Sequence, residues 1–152
     1  MDQPSMTNEA DSVVLTSAQL DPARAIALVM DPQAGGIDVF LGTTRAETDT
    51  SPRGRELAAL EYAAYEEMAL AEMRKLVEQA RARWEIRRCV VHHRLGSCAV
   101  GEISVVIAVS CAHRAEAFEA CRFLIDQLKT TVPIWKKDVY RDRGGRWHHD
   151  PR

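Results

Sequence analysis

The N-terminal part of the chain contains two segments in which apolar and polar residues alternate. This alternation is typical of strands with one buried face, and it predicts strands at residues 12–20 and 37–42. The segment between them, "DPARAIALVM", has an aspartate at its start and a proline directly after it, as the first turn of a helix often does. We therefore predict a short helix with Asp21 as its N-cap.

Two longer segments show the three-and-four spacing of amphipathic helices. They cover residues 66–84 and 113–130, and Pro133 ends the second one. Their apolar stripes consist of Leu70, Met73, Val77, Ala80 and Trp84 in the first, and of Phe118, Cys121, Leu124, Ile125 and Leu128 in the second.

Five further segments are predicted to be strands, at residues 57–65, 87–96, 103–112, 134–142 and 146–150. Residues 103–112 are apolar on both faces, which is typical of a central strand. The residues between 96 and 103 are predicted to be a short connection, and "RGG" turns the final hairpin.

The resulting order, β-α-β-β-α-β-β-α-β-β, indicates an α+β (mixed α/β) fold with helices packed on a mixed or antiparallel sheet. Residues 1–12 are polar and acidic and are predicted to form a flexible tail, which leaves residues 13–150 as a single domain. Within that domain, residues 46–56 carry turn formers and charge without periodicity, so we predict a mobile surface loop there.

Composition narrows the function only a little. The chain has 152 residues and a net charge of −2, which gives no reason to expect nucleic-acid binding. It carries no signal-peptide pattern and no apolar run near the roughly 20 residues that a membrane helix needs, so we expect a cytoplasmic protein without membrane contact. The cysteines form no CxxC pair and the histidines have no metal-ligand spacing, so we expect free thiols, no metal and no cofactor.

The stretch "LKTTVPIWKKD" holds three lysines around the end of the second long helix. Lys129 falls in the last helical turn, where the helix dipole favours a cation for structural reasons alone. Lys136 and Lys137 follow on a strand and are expected to point to opposite faces, so at most one of them shares a pocket with Lys129. The alternative is an ordinary basic face in contact with solvent.

The start of the same helix offers a second candidate anion site. His113 and Arg114 follow an apolar strand directly, and free N–H groups at a helix N-terminus attract phosphate. The alternative is that both side chains simply point to solvent. Cys111, just before them, is either a small residue in a tight turn or a thiol activated by the helix start.

Taken together, these residues resemble the MoaE family, the large catalytic subunits of molybdopterin synthase. The resemblance runs over residues 35–147 and rests on the motifs G-T-x-R, L-E-Y-x-x-Y, H-R-x-G, V-G-E, S-x-A-H-R and L-K-x-x-x-P-I-W-K-K in this order. It implies an α/β hammerhead-like fold and a sulfurtransferase of molybdenum cofactor biosynthesis. The implied substrate is cyclic pyranopterin monophosphate, which receives the two sulfurs of the molybdopterin dithiolene.

The resemblance also implies partners. The sulfur donor is the thiocarboxylated C-terminal glycine of a small ubiquitin-like subunit with a Gly-Gly end. The large subunit forms a homodimer, and two small subunits complete a heterotetramer. No cysteine of this chain is then required for the chemistry.

Site residues follow from the matching motif positions. Lys129 and Lys136 are implied as catalytic cations, and Arg45, His113 and Arg114 are implied as substrate-binding residues. Arg146 is added from the basic C-terminal segment. Two alternatives remain at this point: a non-catalytic adaptor that binds a ubiquitin-like tail or a phosphorylated ligand through the same residues, and a cysteine-based sulfur carrier that uses Cys111.

Overall fold

The computed structural model describes residues 8–141, and the backbone of residues 145–148. Its elements are β1 (Asp11–Thr16), α1 (Pro22–Val29), β2 (Gly36–Thr43), β3 (Leu57–Ala64), α2 (Glu66–Arg83), β4 (Ile86–Arg94), β5 (Gly96–Ala99), β6 (Ile103–Cys111), α3 (Arg114–Thr131), β7 (Ile134–Tyr140) and β8 (Gly145–His148). The three helices and the mixed β structure confirm the predicted α+β class.

The first sheet has the strand order β1-β4-β6-β2 and is enclosed by helices. Strand β1 is parallel to β4, whereas β4 and β2 are both antiparallel to β6. Helices α2 and α3 cover one face and build the larger core, and α1 packs on the other face against Val90, Val106 and Ala108. Strand β6 is therefore buried on both faces, as its continuous apolar run predicts.

The second sheet has the order β5-β3-β7-β8 and is antiparallel throughout. Its strand β5 corrects the predicted element order, which treats residues 96–103 as a plain connection. The four residues "GSCA" show no apolar alternation, and they become a strand because the chain folds back to pair with β3 from Ala59 to Tyr62. This pairing is a tertiary contact that local periodicity does not encode.

The boundary of the predicted N-terminal tail is also corrected. Asp11 and Ser12 belong to β1, where they pair with Cys89 and Val90 of β4, and both side chains also have partners distant in sequence. Arg81 of α2 approaches the Asp11 carboxylate at 2.6 Å, and the Ser12 hydroxyl lies 2.8 Å from Nε2 of His92. Residues 1–7 of the tail lie outside the described part of the chain.

The predicted loop at residues 46–56 carries its own hydrogen bonds. Thr48 and Glu56 form an isolated bridge, and the Asp49 carboxylate accepts a 2.7 Å hydrogen bond from Nε of Arg55. A hydrogen bond from the Ser51 hydroxyl, together with those from Arg55, lowers the pKa of Asp49 to about 2 against the opposing effect of burial. Hydrogen bonds to the ionised Asp49 thus connect the two ends of the loop. The mobility of the loop stays a prediction.

Candidate functional site

A pocket of about 530 Å³ opens between the two sheets and the end of α3. Its lining includes three cationic residues that the sequence singles out: Arg45, Lys129 and Lys136. The volume falls within the range of about 300–1,000 Å³ that is usual for small-molecule sites. Of the two interpretations of the lysine-rich stretch, the geometry therefore favours a shared pocket over an open basic face.

Lys129 reaches the pocket from the last turn of α3. The helix stops directly afterwards: the N–H of Val132 donates to the carbonyl of Leu128, and Pro133 prevents a further turn. The chain then enters β7 after only two intervening residues, Val132 and Pro133. This abrupt stop keeps the end of the helix beside the start of the strand, so both contribute to one cavity.

Lys136 reaches the same pocket from β7, where it pairs with Tyr62 of β3. Lys137 pairs with Glu61 and is not among the described residues that line the pocket. Successive strand side chains point to opposite faces, so this division is the one that strand alternation predicts.

Arg45 follows the end of β2, and its neighbour Thr44 fixes where it lies. Thr44 is buried, its N–H donates to the carbonyl of Glu102, and its carbonyl accepts from the N–H of Gly101. The side chain of Arg45 is 76% exposed, and its guanidinium pairs with Glu47 at 2.8 Å. The side chain is thus available at the pocket rim, on a backbone that the V-G-E turn anchors.

Within one chain, His113 and Arg114 lie at the far end of α3 from the pocket that Lys129 lines. His113 is the N-cap of α3 and Arg114 begins it, whereas Lys129 lies at the other end. The 15 helical steps from Arg114 to Lys129 span about 22 Å. Both side chains at the helix start are exposed, and His113 makes no capping hydrogen bond.

Arg146 lies on β8, where its backbone pairs with Asp138 of β7. Its side chain is outside the described part of the structure. The register brings the Arg146 backbone next to a strand that lines the pocket, since Asp138 is itself a lining residue.

The pocket also contains polar residues that are not among the predicted site residues. Asp138 and Glu47 contribute carboxylates, and Tyr62 and Ser104 contribute hydroxyl groups. Burial raises the pKa of Tyr62, opposed by a hydrogen bond with Ser104, so its phenol stays protonated at neutral pH. Strand alternation in "LEY" already predicts that the Tyr62 side chain points inwards. Only the fold shows that it points into this pocket.

The cysteines are unsuited to sulfur chemistry. All four are buried free thiols, and Cys111 belongs to β6 rather than to an exposed turn. Burial raises the pKa of Cys111 to about 11, so the thiolate is a minor species at neutral pH. This environment argues against the interpretation of Cys111 as a sulfur carrier.

In the part of the chain that the structure describes, no cluster of three or more His, Cys, Asp or Glu residues is arranged to hold a metal ion. None of the helices in that part is long and apolar enough to cross a membrane.

The described part of the chain is an α+β protein with two sheets, three helices and a pocket lined by Arg45, Lys129 and Lys136. The family model described as MoaE protein matches residues 15–131. The chain belongs to the MoaE family.

Relatives with assigned names agree with this membership. A protein of Drosophila grimshawi named molybdopterin synthase catalytic subunit is 45% identical over 139 residues, which is 90% of this chain and 37% of that protein. The chain thus spans little more than a third of that relative's length. A Thermoplasma volcanium protein of the same name is 43% identical, with 90% of this chain and 96% of that protein covered.

A solved structure supports the fold. The crystal structure of molybdopterin synthase from Staphylococcus aureus superimposes with a TM-score of 0.79 at 28% sequence identity. The match covers 93% of this chain and 98% of that one.

Proposed function

We propose that this chain is the catalytic subunit of a molybdopterin synthase. It transfers sulfur from the thiocarboxylated C-terminal glycine of a small ubiquitin-like subunit to cyclic pyranopterin monophosphate, and so forms the molybdopterin dithiolene. The observation that carries the proposal is the meeting of Lys129 and Lys136 at one pocket, in a chain of the MoaE family. Buried free thiols are consistent with work in the reducing cytoplasm.

The cations suit this reaction. An anionic thiocarboxylate and a phosphorylated pterin must approach each other, and negative charge develops as sulfur adds and the cyclic phosphate opens. Fixed cations stabilise such charge without reorganisation, and each is worth about 3 kcal/mol in a well-formed site. We assign this catalytic role to Lys129 and Lys136, and assign substrate binding to Arg45 and, from the C-terminal segment, Arg146.

A second copy of the chain supplies His113 and Arg114 in this proposal. Strand β2 is an edge of the first sheet and exposes Ile37, Phe40 and Leu41, and α3 packs along it. An antiparallel, two-fold pairing of two β2 edges would bring the start of one α3 towards the end of the other. The homodimer would then complete each pocket with the helix start of its partner.

The catalytic assignment is tested by reconstitution with a thiocarboxylated small subunit and cyclic pyranopterin monophosphate. We expect Lys129→Met to slow dithiolene formation by about 100-fold or more, because a transition-state contact is lost. The matched control is Lys137→Met on the opposite face of β7, which should stay within about two-fold of the unsubstituted rate. Full activity of Lys129→Met would remove the assignment, and partner binding without any turnover would support an adaptor instead.

The shared site is tested by mixing two inactive variants, Lys129→Met and Arg114→Met. Random exchange makes half of the dimers mixed, and each mixed dimer holds one pocket with both residues intact. We therefore expect recovery to about a quarter of the unsubstituted rate. No recovery after proven subunit exchange would mean that Arg114 does not serve the pocket of a partner.

A further inference from the structure

Behind the two lysines lies a buried histidine that the proposed chemistry leaves unused. His93 of β4 is 2% exposed, and its ring meets Tyr62 edge to face, with 5.0 Å between the ring centroids. Tyr62 lines the main pocket, so this pair forms a wall between the pocket and the interior of the first sheet. Its neighbour His92 points the other way, towards Ser12.

A small cavity connects the histidine with the lysines. It measures about 20 Å³ and is lined by Tyr62, His93, Lys129 and Lys136, together with apolar residues from α3 and the start of β7. A volume of about 10–15 Å³ is enough for one water molecule, provided that polar groups surround it. Here the surrounding polar groups are a phenol, an imidazole and two amines.

The hydrogen bonding of His93 determines what its ring presents to this cavity. Nδ1 lies 2.7 Å from the carbonyl oxygen of Arg94, and because a carbonyl only accepts, Nδ1 must carry the proton. Nε2 is then an acceptor. Burial, opposed by the hydrogen bond with the Arg94 carbonyl and assisted by the charge of Lys129, lowers the pKa of His93 to about 4, so the ring is neutral at pH 7.

We infer that His93 is a positioning residue for Lys129: its neutral Nε2, acting through one water molecule in the small cavity, holds the ammonium group in place at the pocket. The edge contact with Tyr62 fixes the plane of the imidazole. The inference rests on the proposed function for its kinetic consequence only. The contact between the two residues is a separate, measurable property.

The first experiment needs no activity. The pKa of His93 is measured by NMR of its ring carbons in the unsubstituted protein, in Lys129→Met and in Lys137→Met. The titratable groups facing His93 are Tyr62 from β3, Lys129 from α3 and Lys136 from β7. We expect the pKa of His93 to rise in Lys129→Met, because a nearby positive charge is removed, and to stay unchanged in Lys137→Met. An unchanged pKa in Lys129→Met overturns the proposed contact.

The second experiment measures single-turnover sulfur transfer and partner affinity in His93→Phe, His93→Gln and His92→Phe. His93→Phe keeps a ring against Tyr62 but loses the acceptor, so we expect the rate to fall about 10-fold or more, the effect of a lost hydrogen bond to a charged group. Affinity for the small subunit should not change. His93→Gln retains an acceptor and should recover most of the rate, and His92→Phe should stay within about two-fold.

These outcomes separate positioning from a structural role. Equal rate losses in His93→Phe and His93→Gln, in step with lower melting temperatures, would show that His93 only packs the core. A full rate in His93→Phe would also overturn the inference. If the unsubstituted protein transfers no sulfur, the proposed function fails, and the NMR coupling still decides whether His93 and Lys129 interact.

Discussion

Gly42, the glycine of the G-T-x-R motif, tests whether close packing between β2 and β6 requires a residue without a side chain. It lies on β2 opposite Val105 of β6, and it lines the pocket. A Cβ added at Gly42 would stand 2.4 Å from Cγ1 of Val105. Carbon atoms in contact prefer about 3.5–4.0 Å, so the two strands would have to separate by roughly 1 Å at this point.

The free-energy cost of Gly42→Ala depends on how far the Val105 side chain can move away. Val105 is fully buried, and β4 backs it on the other side, with His93 as its neighbour in the ladder. Overpacking a tight core costs about 1–3 kcal/mol, and alanine recovers up to about 1 kcal/mol by restricting the unfolded chain. We expect Gly42→Ala to lower the free energy of unfolding by about 1–2 kcal/mol.

The assay is urea unfolding of a double-mutant cycle. Val105→Ala removes the clashing methyl group, so Gly42→Ala with Val105→Ala should be more stable than the sum of the single changes by about 1 kcal/mol or more. The control cycle uses Val109→Ala, which is equally buried but four residues further along β6, and it should be additive within about 0.5 kcal/mol. Additivity with Val105→Ala, or a Gly42→Ala variant as stable as the original chain, would refute the steric reasoning.

Two further predictions concern stability. The pKa of His93 is lower in the folded than in the unfolded chain, so the folded state binds fewer protons. The free energy of unfolding is therefore highest above about pH 6.5, and it decreases as the pH falls from there to about 4. Between pH 7.5 and 5 the stability advantage of the unsubstituted chain over His93→Gln should narrow by about 2 kcal/mol in urea titrations, and a constant difference would contradict a neutral buried ring. Arg81→Met should lower the free energy of unfolding by about 1.5–3 kcal/mol, because Arg81 joins Asp11 of β1 to α2 through a half-buried ion pair. Arg122→Met, which breaks the exposed pair with Asp126, should change it by less than about 0.5 kcal/mol, and similar losses in the two variants would contradict this account.

Periodicity predicts most of the elements because each buries one face. The two long helices start and end within a few residues of their predicted positions, and the apolar run at residues 103–112 is the central strand β6. The short strand β5 is missed because its four residues depend on pairing with β3 rather than on their own pattern. The start of β1 is missed for a similar reason, since Asp11 is polar and is recruited by Arg81.

The candidate site is also predicted only in part from the sequence. Strand alternation alone places Lys136 and Lys137 on opposite faces of β7. The end of the helix at Pro133 places Lys129 close in sequence to Lys136, as its candidate neighbour in one pocket. The motifs do not reveal that α3 holds Arg114 about 22 Å away from that neighbour. Nor do they show that His93 stands behind the lysines while His92 bonds to Ser12.

By itself the sequence determines local facts: which segments are helices or strands, which face of each is apolar, and where Pro133 stops α3. These follow from backbone geometry and from the cost of leaving apolar surface in water. Tertiary structure alone decides which faces meet. The pocket exists because β3, β7 and the end of α3 converge on β2 and β6, and Lys129, Lys136 and Arg45 come to line it from segments far apart in the chain.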